Sequence, residues 1–260
     1  MLSACDTVLV PKESAARPAV PGDKPGLFRS SESLFALANS HAPEFADITF
    51  SFGAPGDVPL VGDWDGDGRD SVATYRPTDA TFRLRATTDA AEDDTISFAL
   101  GKTGDLPIAG DWDGDGRDSV GVFRASTGSF FLANVFDPDH PLIEIQFGTA
   151  DDLPVAGDWN GDGSTEIGIY RPEESTFHLL PANREGETPL VVTFGAPGDR
   201  PLIGDWNADG KDTVGVYRPS ESTFILRNSI TEGEADAQFT FGLPGDIGLA
   251  GNWTGNSSPP

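Results

Sequence analysis

The stretch 62-GDWDGDGRDSV-72 sets four carboxylates within eight residues around one tryptophan. Close variants return at 110-GDWDGDGRDSV-120, 157-GDWNGDGSTEI-167 and 204-GDWNADGKDTV-214. The tryptophans fall at 64, 112, 159, 206 and 253, a spacing of 48, 47, 47 and 47 residues. A glycine precedes each by eleven residues (Gly53, Gly101, Gly148, Gly195, Gly242), and an arginine follows the first four by twelve (Arg76, Arg124, Arg171, Arg218). A period in this range marks a repeat architecture.

The two ends of the array are each half a unit. Residues 26-GLFRSSESLFAL-37 align without a gap on 215-GVYRPSESTFIL-226, with Arg29 and Phe35 in register, and supply a second half with no first. Residues 238-QFTFGLPGDIGLAGNW-253 supply a first half with no second. Within the first complete unit, 48-ITFSF-52, 59-PLVGDW-64, 71-SVATYR-76 and 81-TFRLRA-86 read as short strands between Gly, Pro and Asp turns. Four antiparallel strands in about 47 residues is the size of a propeller blade. The expectation is therefore an all-β chain: a five-bladed β-propeller over residues 22–256 whose last blade is shared by the N- and C-terminal segments. A flexible tether (1–21) and a short tail (257–260) flank it. An open row of β modules is the alternative, and it would leave two half-blades with unpaired edges.

Composition narrows the function. The net charge of −25 repels phosphate backbones and excludes a nucleic-acid partner. No apolar run approaches the roughly 18 residues of a membrane span. The single cysteine, Cys5, excludes an internal disulfide; its context 2-LSAC-5 resembles a bacterial lipobox, which implies a lipid-anchored first residue. An incidental cysteine in a Pro/Ala-rich tether is the other reading.

The acidic loops read as cation sites. Carboxylates at positions 1, 3 and 5 followed by a glycine curl around a hard ion, and an oxygen-only donor set selects Ca²⁺. The candidate ligands are Asp63, Asp65, Asp67, the carbonyl of Arg69, and Asp70 in the first loop. In the second they are Asp111, Asp113, Asp115, Arg117 and Asp118, and in the third Asp158, Asn160, Asp162, Ser164 and Glu166. The fourth offers Asp205, Asn207, Asp209, Lys211 and Asp212, while 252-NWTGN-256 has lost every carboxylate and is expected empty. An EF-hand is excluded, because position 12 is Thr74 and the flanks are strand-like.

Phe-Gly followed by Gly-Asp-x-Pro, the Asp-x-Asp-x-Asp-Gly loop and Tyr-Arg-Pro together resemble the FG-GAP/VCBS-type repeats of bacterial surface proteins, and distantly the calcium-bearing blades of integrin α chains. That resemblance implies about four calcium ions, an extracellular or cell-surface location and a role in adhesion. It places the last ligand at position 9, where only Glu166 is acidic; Ser71, Ser119 and Thr213 stand there in the other loops.

Three functions follow as expectations. The first is a non-catalytic, calcium-stabilised surface module that binds a protein or glycan. The second is a structural subunit, in a filament or as a lipoprotein on a membrane complex. The third is a five-bladed glycoside hydrolase, which would need two carboxylates across a cleft, supplied from the non-repeating segments 134–144 and 183–188. The tryptophans are expected in the core. Asp57, Asp105, Asp152, Asp199 and Asp246 match the five arginines in number and register, which suggests one charge-assisted contact per blade.

Overall fold

The computed structural model describes residues 22–41, 43–88 and 95–254; Cys5, the tether and the tail lie outside the described residues. Twenty short strands follow one another. The chain opens with β1 (Lys24–Arg29), β2 (Leu34–Leu37) and β3 (Ile48–Ser51). Four complete quartets come next: β4 (Val58–Gly62), β5 (Ser71–Arg76), β6 (Thr81–Arg85) and β7 (Thr95–Ala99); then β8 (Leu106–Gly110), β9 (Ser119–Arg124), β10 (Ser129–Leu132) and β11 (Ile143–Gln146). The third is β12 (Leu153–Gly157), β13 (Glu166–Arg171), β14 (Thr176–Leu179) and β15 (Leu190–Thr193); the fourth is β16 (Arg200–Gly204), β17 (Thr213–Arg218), β18 (Thr223–Leu226) and β19 (Ala237–Thr240). The last strand, β20 (Ile247–Gly251), does not start a new sheet. It pairs with β1, with Lys24 opposite Gly251 and Phe28 opposite Ile247, and completes the sheet β20-β1-β2-β3.

The molecule is thus a five-bladed β-propeller whose fifth blade joins both chain ends. The innermost strands β4, β8, β12, β16 and β20 neighbour one another in a closed cycle around the axis.

Each strand's sequence fits its place in the blade. The second strand of every blade is buried on both sides, and its apolar run (Val72, Ala73 and Tyr75 in β5) packs against blades in both directions. The third strand alternates, with Phe82 and Leu84 inward on β6. Outer strands such as β3 bury only one side chain in four.

The core is accordingly five slices between adjacent blades. One slice joins Trp64, Tyr75, Phe82 and Phe98 to Val120 and Val122 of the next blade; the slice at the chain ends joins Phe28, Phe35, Leu249 and Trp253 to Val72. All five tryptophans are buried, as core residues should be. Each indole folds back over the glycine that ends its inner strand: a Cβ on Gly62 would stand 2.8 Å from Trp64 Cη2.

The recurring Asp and Arg meet within each blade. Arg76 donates from Nε and Nη2 to the two carboxylate oxygens of Asp57 at 2.8 and 2.9 Å, and the same fork joins Arg124 to Asp105, Arg171 to Asp152 and Arg218 to Asp199. In the shared blade the fork runs from Arg29 near the start of the chain to Asp246 near its end, at 2.9 and 3.0 Å. Each Asp also accepts an amide three residues upstream, as Asp57 does from Ala54 at 2.9 Å.

Candidate functional site

Each acidic loop links the first strand of a blade to the second, so all of them stand on one face of the ring. The position-1 aspartate organises the loop. Asp63 accepts the amides of Gly66, Asp67 and Gly68 at 2.7, 3.1 and 2.8 Å. Asp111 does the same at 2.8, 3.2 and 2.8 Å, and Asp158 at 2.6, 3.2 and 2.8 Å. The turn needs left-handed backbone at positions 4 and 6, supplied by Gly66 (φ 76°) and Gly68 (φ 80°). In the fourth loop the non-glycine Ala208 adopts it, with φ 60°.

This curl brings one oxygen each of Asp63, Asp65 and Asp67 within 4.8 Å of one another, and likewise of Asp111, Asp113 and Asp115. The position-5 carboxylate also takes the amide of position 7: Asp67 from Arg69, Asp115 from Arg117 and Asp162 from Ser164, each at 2.9 Å, and Asp209 from Lys211 at 3.1 Å.

Position 8 has other work. Asp70, Asp118 and Asp212 are not in these oxygen clusters among the described residues. Each reaches the position-1 residue of the adjoining blade: Asp118 Oδ2 accepts the Asp63 amide at 2.8 Å while its own amide donates to the Asp63 carbonyl at 2.8 Å. The same two-point clamp joins Asp70 to Asn252 (2.7 and 3.0 Å) and Asp212 to Asp158 (2.9 and 2.9 Å). Thr165 makes it to Asp111 through Oγ1 (3.0 Å), and Asp23 to Asp205 (2.9 and 2.8 Å). Asp70, Asp118 and Asp212, expected as ligands of their own loops, each place one carboxylate oxygen in a girdle of five interblade clamps.

The girdle lines a cavity of about 330 Å³ on the propeller axis, edged by Asp23, Asp70, Asp118, Thr165 and Asp212. Burial pushes Asp70 up to about 6 against the Asn252 amide, and Asp212 up to about 7. It also lifts Asp23 and Asp118 well above the usual carboxylate range, with the Asp70 charge adding to both.

Position 9 divides the loops. The hydroxyls of Ser71, Ser119 and Thr213 are spent on the carbonyls of Arg85, Ala133 and Arg227 at the end of the third strand. Glu166 instead turns to its own loop: Oε1 accepts from Asn160 Nδ2 at 3.0 Å, and Oε2 is buried with no hydrogen-bond partner. Burial, then the Asp162 and Asp158 charges, raise Glu166 to about 7.

A buried carboxylate oxygen without a hydrogen-bond donor is a costly arrangement that a hard cation resolves. The donor set is oxygen only, and it fits calcium. In the fourth loop Asn207 Nδ2 donates to Asp209 Oδ2 at 2.9 Å, so its acids are Asp205 and Asp209.

Of the non-repeating segments, 183–188 is engaged locally. Asn183 bridges the Ile167 amide (2.9 Å) and the Thr165 carbonyl (2.7 Å), and Arg184 pairs with Glu187. No protein-family model matches the chain, and no curated protein matches it.

Proposed function

We propose that the chain is a non-catalytic, calcium-stabilised propeller of the FG-GAP/VCBS type, displayed at a bacterial surface, where it binds a protein or glycan. The observation that carries the calcium half is the two triads of converging oxygens, together with the buried, partnerless Oε2 of Glu166 in the third loop. In this reading Asp63, Asp65 and Asp67 hold the first ion with the Arg69 carbonyl; Asp111, Asp113, Asp115 and the Arg117 carbonyl hold the second. Asp158, Asn160, Asp162, Glu166 and the Ser164 carbonyl hold the third, and Asp205, Asn207, Asp209 and the Lys211 carbonyl the fourth. Bound calcium cancels the repulsion within each corner and ties its loop to the blade.

The non-catalytic half rests on where the acids are used: corner loops, Arg–Asp forks and interblade clamps absorb them blade after blade. Attachment through Cys5 belongs to the same reading. A glycan array probed with and without calcium tests it. Binding that needs calcium, with no turnover of aryl glycosides, is expected; turnover abolished by a single carboxylate substitution would replace this reading with the hydrolase.

A structural-subunit role draws on the outer edge of the third complete blade. On β15, Leu190 and Val191 are 49% and 56% exposed, and an apolar edge strand suits pairing with a partner strand. Concentration-dependent assembly abolished by Leu190→Lys would favour it.

A further inference from the structure

The fifth corner, where the chain ends meet, has no acid at position 1 or 3: Asn252 and Thr254 stand there. Yet it contains the one lysine of the described residues that is fully buried, Lys24 at 0% exposure. A long ammonium side chain is rarely enclosed without a specific task.

Register defines its place. Lys24 lies opposite Gly251 as Ser71 lies opposite Gly62, Glu166 opposite Gly157 and Thr213 opposite Gly204, so it holds position 9. A side chain at position 9 can reach into its own corner, as Glu166 does to Asn160. The Lys24 ammonium donates to the carbonyl of Gly22. Gly22 is position 7, equivalent to Arg69, Arg117, Ser164 and Lys211, whose carbonyls are proposed above as metal ligands. Thr254 Oγ1, at position 3 of this corner, is buried without a partner. Burial lowers the pKa of the Lys24 ammonium, and the charges of Asp23 next to it and Asp205 across the clamp oppose that shift.

We propose that the ammonium of Lys24 is the resident cation of the fifth corner, holding the carbonyl that a metal ion takes in the other four. Elsewhere two or three acids would share a divalent ion; here a single ammonium meets the Gly22 carbonyl, with Asp23 and Asp205 as the neighbouring charges. The corner that joins the two chain ends is then closed by a covalently held cation, independent of ambient calcium. This inference rests on the calcium reading of the other corners.

The test uses the full chain and its Lys24→Met and Lys24→Glu/Asn252→Asp variants, counting bound calcium by equilibrium dialysis and recording Tm in calcium and in chelator. The wild-type chain is expected to bind four ions. Lys24→Met should also bind four and lose several degrees of Tm to the same extent in both media. The double variant, which restores acids at positions 9 and 1, should bind a fifth ion and recover its Tm in calcium alone. A fifth ion in the wild-type chain, an unchanged Tm for Lys24→Met, or a double variant that calcium does not rescue would each overturn the proposal. If the wild-type chain binds no calcium the metal reading fails instead, a result separate from any of these.

Discussion

At the scale of single residues, the corner loops show how closely backbone and charge are coupled. Ala208 occupies a left-handed position that glycine fills in the equivalent loops, so Ala208→Gly should stabilise the fold by about 0.5–1 kcal/mol, measured by urea unfolding. Glu166 works in the opposite sense with and without metal. Glu166→Gln should weaken calcium binding at the third corner roughly tenfold or more in a titration, yet raise the Tm of the metal-free protein at pH 8, because it removes a repelled carboxylate. The position-1, 3 and 5 acids were legible as a cluster from spacing alone, since alternation followed by glycine dictates the curl. Position 8 was not, because the adjoining blade that claims its carboxylate lies about 50 residues away in the chain. One signal was available: Asp23 keeps position 8 in a half-blade whose loop has lost its acids, so a metal cannot be what it serves.

At the scale of elements, the blade is a four-stranded sheet pinned by one Arg–Asp fork, and in the shared blade that fork joins residues 217 positions apart. Asp246 is buried, so Arg29→Met leaves an uncompensated carboxylate and should cost about 3 kcal/mol. Arg76→Met makes the same change within a continuous blade. The two should match in global stability by denaturant titration. Only Arg29→Met should expose β1 to early hydrogen exchange, because its sheet partner β20 is not held by a short connection. Strand positions were readable because alternation and turn residues repeat five times. Equal numbers of Asp and Arg in fixed register foretold the fork. What the repeat did not reveal is that the same aspartate also gathers the amide three residues upstream, a contact set by turn geometry rather than by residue type.

At the scale of the whole molecule, a closed ring with a net charge of −25 concentrates acids at its corners and around its axis. The clamp and corner carboxylates are raised in the fold, Asp70 to about 6 and Asp212 and Glu166 to about 7, against roughly 4 in an unfolded chain. A raised carboxylate takes up protons on folding, so its stabilising contribution is complete below about pH 4 and disappears as pH rises through 6 to 7. The metal-free protein should therefore melt at a lower temperature at pH 8 than at pH 5. Calcium binding requires an ionised Glu166, so calcium affinity at the third corner should rise with pH across that window. Ring closure was the most legible feature of all, since two half-units that complete each other leave few other ways to satisfy their strand edges. The interblade girdle was the least, being built from contacts between blades rather than within one. At 100 times its dissociation constant, an ion contributes about 2.7 kcal/mol, so four corners approach the roughly 5–15 kcal/mol that holds a typical domain folded. Calorimetric melting at pH 7.5 in millimolar calcium and in excess chelator weighs that claim most directly. A Tm lowered by tens of degrees on chelation, and restored by calcium, is the expected result; the same Tm in both would contradict it.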